Sequence, residues 1–63
     1  MLENYEDILD VTDVCRILRI ERKLAYKLIR NGEIFAIKVG YRYRIPKFEL
    51  IRFIRGERKQ SVV

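Results

Sequence analysis

At 63 residues the chain is one small domain, near the lower size at which a single core holds without disulfides or a metal. With one cysteine and no histidine, an internal disulfide is excluded, a metal site would rest on carboxylates alone, and the side chains of most small enzymes are missing. Charge is unevenly placed: residues 1–13 carry five acids and no Lys or Arg, whereas the remainder carries fourteen Lys and Arg against four acids, a net +10 within an overall +5.

Apolar residues make up 49% of the chain and are spread along it, which marks a globular rather than a disordered sequence. The acidic start and the lack of any apolar run near the ~18 residues of a membrane span argue against a signal peptide or a transmembrane segment, so the expected location is cytoplasmic. The basic remainder attracts polyanions through a salt-dependent term that does not itself distinguish nucleic acid from an anionic membrane surface.

Residues 1–7 lack periodicity and read as a loose start, with Leu2 or Tyr5 packing back onto the core. Ile8-Leu9 is either a very short strand or an apolar lead-in. Asp10 is placed to cap a helix, and Asp13 three residues later sits where a capping-box acid sits. Val11, Val14, Cys15 and Leu18 then share one face with Ile17 at its margin, predicting a helix of about two turns in which Cys15 is a small core residue. Arg19-Ile20-Glu21 is a connection of the length a helix-turn-helix uses, with Ile20 turned inward. It has no glycine, and Glu21 is a weak cap. A continuous helix over 11–31 is the rival, although its apolar positions slip in phase between Leu18 and Leu24.

The stretch 22–32 predicts a second helix with a greasy back, Leu24, Ala25, Leu28 and Ile29, and a basic front, Arg22, Lys23, Tyr26, Lys27 and Arg30. Asn31-Gly32 ends it, since glycine reaches the left-handed backbone region at little cost. The period then changes from helical to alternating, with Phe35, Ile37 and Val39 expected inward. A two-residue loop at 40–41 would set Val39 opposite Arg42 and Ile37 opposite Arg44, mixing apolar and charged side chains on one face. A three-residue loop at 40–42 pairs Val39 with Tyr43 and Ile37 with Ile45, leaving Lys38 and Arg44 on the outer face and Tyr41 and Arg42 at the tip, and is the preferred register. Pro46 suits the first turn of a third helix, which buries Phe48, Leu50, Ile51 and Ile54, keeps Lys47, Glu49, Arg52 and Arg55 wet, and stops at Gly56. Residues 57–63 read as a frayed tail.

These elements are each too small to stand alone and must share one core, expected over about residues 8–55 with flexible ends at 1–7 and 56–63. The fold class is α+β, mostly helical: a small winged helix-turn-helix with a two-stranded β-hairpin wing and a C-terminal helix. Such an arrangement presents Arg22, Lys23, Tyr26 and Lys27 on a helix that fits a major groove, and Lys38, Tyr41, Arg42 and Arg44 on a ribbon able to follow the backbone or enter the adjacent minor groove. Arg30 and Tyr43 read instead as a helix-capping and a packing residue.

Three stretches, Leu-Asp-Val-Thr-Asp-Val-Cys-Arg-Ile-Leu at 9–18, Tyr-Lys-Leu-Ile-Arg-Asn-Gly-Glu-Ile at 26–34 and Ile-Lys-Val-Gly-Tyr-Arg-Tyr-Arg-Ile at 37–45, make residues 9–53 resemble the excisionase family, related to the DNA-binding domain of MerR-type regulators. The resemblance implies a non-enzymatic protein that binds and bends DNA beside the recombination sites of mobile elements and helps an integrase of the tyrosine class excise them. It also implies neighbouring protomers bound side by side on repeated sites. By that likeness Arg22, Lys23, Tyr26 and Lys27 face the major groove, and Arg42, with Tyr41 and Arg44, the minor groove or its phosphates. Within the pattern Arg19 stands where glycine is common in the turn, Glu21 where Ser or Thr caps, Leu24 where Thr is frequent, and Phe35 where proline is. A transcriptional regulator is the alternative on the same fold. A protein adaptor or RNA binder is a third reading, less suited to a ribbon whose aromatics are placed inward. An enzyme is the least suited of all, and no cofactor, metal or small-molecule substrate is expected.

Overall fold

The computed structural model describes residues 2–57. In chain order it contains β1 (Ile8–Leu9), α1 (Val11–Leu18), α2 (Arg22–Arg30), β2 (Ile37–Val39), β3 (Arg42–Pro46) and α3 (Lys47–Ile54). This is a small α+β winged helix-turn-helix, and the interruption between Leu18 and Arg22 disposes of the continuous-helix alternative.

Each boundary has a local cause. Asp10 and Asp13 form a reciprocal capping box: the Asp13 N–H donates to Asp10 Oδ1 at 2.9 Å, and the Asp10 N–H to Asp13 Oδ2 at 3.2 Å. α1 ends at Arg19, whose backbone is left-handed at φ 59°, ψ 50°, a conformation that an L side chain with a Cβ rarely adopts. The Ile20 N–H then bonds the Cys15 carbonyl at 3.1 Å, and Ile20 packs into the corner. Glu21 precedes α2 in extended conformation without a side-chain cap. The C-terminus of α2 is closed twice over: the Gly32 N–H donates to the Ile29 carbonyl at 3.1 Å and the Glu33 N–H to the Leu28 carbonyl at 2.9 Å, with Gly32 at φ 82°. The same double bond pattern recurs at Gly56 and Glu57 behind α3.

The core consists of Leu9, Val11, Val14, Ala25, Ile29, Ile34, Ile45 and Leu50, all buried. Cys15, Ile17, Leu18, Leu28, Tyr43 and Phe53 pack around it, half-buried. Leu24, expected on the apolar stripe of α2, is 40% exposed, because Ala25 and Ile29 hold the contact line and Leu24 falls at its edge. Phe48 and Ile54 are likewise exposed, at 62% and 40%, and Phe53 takes the packing place assigned to them. Ile34 is 1% exposed although it has no periodic signature, since it lies in the irregular chain between two periodic segments.

The sheet has three antiparallel strands in the order β1-β3-β2, so the wing is a hairpin extended by a strand from the start of the chain. Leu9 pairs with Ile45 and Ile8 with Pro46. The hairpin register differs from the preferred one: Val39 pairs with Arg42, Lys38 with Tyr43 and Ile37 with Arg44, leaving a two-residue loop, Gly40-Tyr41. Gly40 has φ 68°, whereas Tyr41 is not in the left-handed region, so glycine stands where a type II′ hairpin turn takes it. The twist of that tight turn suits the strands, and the core does not need β2: Ile45, Leu9 and Ile34 already fill the space beneath the sheet. Phe35, Ile37 and Val39 are therefore 47%, 49% and 58% exposed rather than inward, and the mixed face of apolar residues and arginines exists. Lys38 shares a face with Tyr43 and not with Arg44.

The start of the chain is tied to α3. Leu2 and Tyr5 pack against the core, the Lys47 N–H donates to the Asp7 carbonyl at 2.7 Å, and Lys47 Nζ donates to the carbonyls of Leu2 and Tyr5, each at 3.2 Å. Lys47 is thus half-buried and structural rather than on the wet side of its helix. The expected frayed tail falls largely outside the described residues.

Candidate nucleic-acid interface

α2 and the wing stand on either side of an open cleft of about 300 Å³, lined by Asp10, Val11, Thr12, Arg22, Tyr26, Tyr41, Arg42 and Tyr43. Four of the eight residues singled out from sequence, Arg22, Tyr26, Tyr41 and Arg42, meet there although they are far apart in the chain. Arg22 opens α2 and is held from below: its Nη2 donates to Thr12 Oγ1 on α1 at 2.7 Å. The guanidinium is exposed yet oriented, with further N–H groups left over for a ligand.

Tyr26 joins the two elements. Its ring lies 5.9 Å from that of Tyr43 at an interplanar angle of 54°, a tilted aromatic contact between α2 and β3. Lys38 Nζ stands over the other partner, 5.6 Å from the Tyr43 ring centroid. Tyr43 is therefore the packing aromatic that was expected, and through it the wing is braced against the helix. Tyr41 is 89% exposed at the hairpin tip, an aromatic ring with almost no protein around it. Arg42 stands just behind it in the strand.

Lys23 and Lys27 are exposed on α2, outside the cleft lining, and Arg44 is half-buried on β3. Arg30 is exposed in the last turn, where its charge suits the negative end of the helix dipole. Of the four other cleft residues, Val11 belongs to the core and Tyr43 to the aromatic packing, while Thr12 and Asp10 carry polar groups that sequence reasoning missed at this surface. Thr12 reads in sequence as an outer residue of α1, and Asp10 as a cap alone; only the packing of α1 under α2 and beside β3 reveals that both face the cations. Asp10's carboxyl is held below its ordinary value, chiefly by the hydrogen bond from the Asp13 N–H, with desolvation opposing it and Arg44 and Arg42 adding attraction.

The remaining chemistry is sparse. No group of His, Cys, Asp and Glu among the described residues could hold a metal ion, and no buried side-chain polar atom there lacks a partner. No described helix is long and apolar enough to cross a membrane. An exposed basic helix start, a basic wing and aromatic rings between them are suited to a duplex, whose charge is on its backbone and whose bases are reached through grooves.

A helix-turn-helix domain family matches residues 8–58, most of the chain. The protein belongs to that family. Comparison with curated proteins and with solved structures finds no significant match. The helix-turn-helix assignment makes double-stranded DNA the ligand class of the domain, and proteins of this family are typically binders rather than enzymes.

Proposed function

We propose that this helix-turn-helix domain is an excisionase, a sequence-specific architectural protein that bends DNA near recombination sites and assists a tyrosine-class integrase. The observation that carries the DNA-binding part is the convergence of Arg22 and Tyr26 from α2 with Tyr41 and Arg42 from the wing on one cleft. In this reading α2 lies in the major groove, Arg22 reaching a base edge and Lys23, Tyr26 and Lys27 setting register on phosphates. The wing crosses to the adjacent minor groove, where Arg42 is drawn by the negative potential of a narrow stretch and Tyr41, Lys38 and Arg44 hold its walls. The excision role is supported by the likeness of residues 9–53 to excisionases.

A mobility-shift titration on DNA flanking the protein's own gene, against random duplex at two salt concentrations, tests the binding. Selective shifts are expected, with Arg42→Ala about tenfold weaker on the selected site. Equally weak binding to every duplex, abolished by moderate salt, would end the reading. An excision assay with a tyrosine-class integrase then separates the roles: selective binding without any effect on excision favours a regulator of the MerR-like winged type.

A further inference from the structure

The first turn of α1 has an electrostatic oddity. Its cap works through a carboxylate, yet Asn or Ser caps a helix as well as Asp. The cap therefore does not require a charge at position 10, and the charge that Asp10 carries is located at the cationic surface. The antiparallel step after the Leu9–Ile45 pair brings Asp10 alongside Arg44, and Asp10 lines the same cleft as Arg42 and Arg22. Next to it, Thr12 holds Arg22. One short stretch of α1 thus lies beneath cations from both the helix and the wing. A carboxylate at such a place repels phosphate, which is a cost for any protein that binds DNA by charge alone.

Resting on the DNA-binding reading, we infer that Asp10 is a specificity-determining residue whose carboxylate restrains the wing arginines, lowering affinity for arbitrary duplex more than for the correct site. Arg42 and Arg44 are long side chains that, unrestrained, swing to whichever phosphate is nearest, and any sequence then binds. Restrained by Asp10, they hold the aim that a base edge or narrow groove requires, so the correct site receives them preorganised. On random DNA, the same restraint leaves phosphate contacts poorly made and places a carboxylate close to the backbone. The inference concerns a residue outside the eight assigned to DNA contact, and it makes Asp10 a positioning group rather than a contact.

Asp10→Asn and Asp10→Ser test it, because both keep the cap and remove the charge. Circular dichroism melts confirm that each variant is folded. Wild type and variants are then titrated on a duplex enriched by the wild type from a randomised library and on random duplex. The expected result is a rise of about three- to tenfold on random duplex with a change under about twofold on the enriched one, so that the specificity ratio falls. In an Arg42→Ala background the rise on random duplex shrinks, since one restrained cation is gone. An equal rise on both duplexes would overturn the inference by reducing Asp10 to background charge, and no change on either would reduce it to a cap. A wild type that enriches no duplex ends the DNA reading itself, and this inference with it, before any variant is compared.

Discussion

The α1–α2 corner and the wing are of similar size and obey different rules. In the corner, side chains sort by polarity: Val11, Val14, Ala25 and Ile29 are buried, and the charged residues face out. In the wing the sorting fails on β2, where Ile37 and Val39 are exposed beside Arg44 and Arg42. The corner is stabilised by what it buries, whereas the hairpin is set by its turn and by β1 on its far side. A wing of this kind can keep apolar and cationic side chains on one outward face because the core does not depend on that face.

The largest effect that would sharpen the contrast is at the centre of the shared core. Leu50→Ala should cost about 2–5 kcal/mol, comparable with the roughly 3–9 kcal/mol total of a chain this size, so urea denaturation should find it marginal or unfolded. At the helix start, Asp10→Ala removes the cap and should cost about 1 kcal/mol by the same measurement, while Asp10→Ser should cost far less. Arg19→Gly works in the other direction. Relieving the left-handed backbone of a residue with a Cβ should stabilise the corner by about 1 kcal/mol, seen as a rise of several degrees in Tm. The smallest effect belongs to the wing: Ile37→Thr should change stability by less than about 0.5 kcal/mol. A large loss there would show that the hairpin does bury its outer face and would break the comparison.

A pH titration adds a directional check. Because the folded-state pKa of Asp10 is depressed, its carboxylate contributes stability that is fully present above the ordinary value of 3.8 and is lost as pH falls through the lower folded value. Wild type should therefore lose its advantage over Asp10→Ser progressively on acidification, while the two curves run parallel between pH 5 and 7.

The sequence was most legible where one physical rule acted alone. The capping box at Asp10 and Asp13, the stop at Gly32 and the stop at Gly56 are local hydrogen-bonding matters, and they stand as read. Helix limits followed from periodicity. The faces of α1 and α2 were mostly legible, with Val11, Val14, Ala25 and Ile29 buried as their spacing implied, and what failed were apolar assignments in the wing and in α3. Ile37 and Val39 alternate as an inward strand does, yet Ile34 and Ile45 had already filled that place. Phe48 and Phe53 lie on different sides of one short helix, and spacing alone chose the wrong one. Four of the eight proposed contacts converge on the cleft, but Thr12 and Asp10 became visible only when α1 was seen to lie beneath them. Such tertiary neighbours leave no mark in local pattern.

The short outer strand of the wing has a consequence for handling the protein. β2 is an unpaired sheet edge of three residues carrying two exposed β-branched side chains, which in isolation invites another edge to join it. Its brevity, Lys38 within it and Arg42 and Arg44 beside it keep copies apart by like charge rather than by cover. That guard is screened by the same salt that weakens DNA contacts, with a Debye length near 3 Å at 1 M. High salt, the usual remedy for stripping nucleic acid from a basic protein, is thus the condition in which this one should begin to self-associate, and light scattering across a salt series would register the onset.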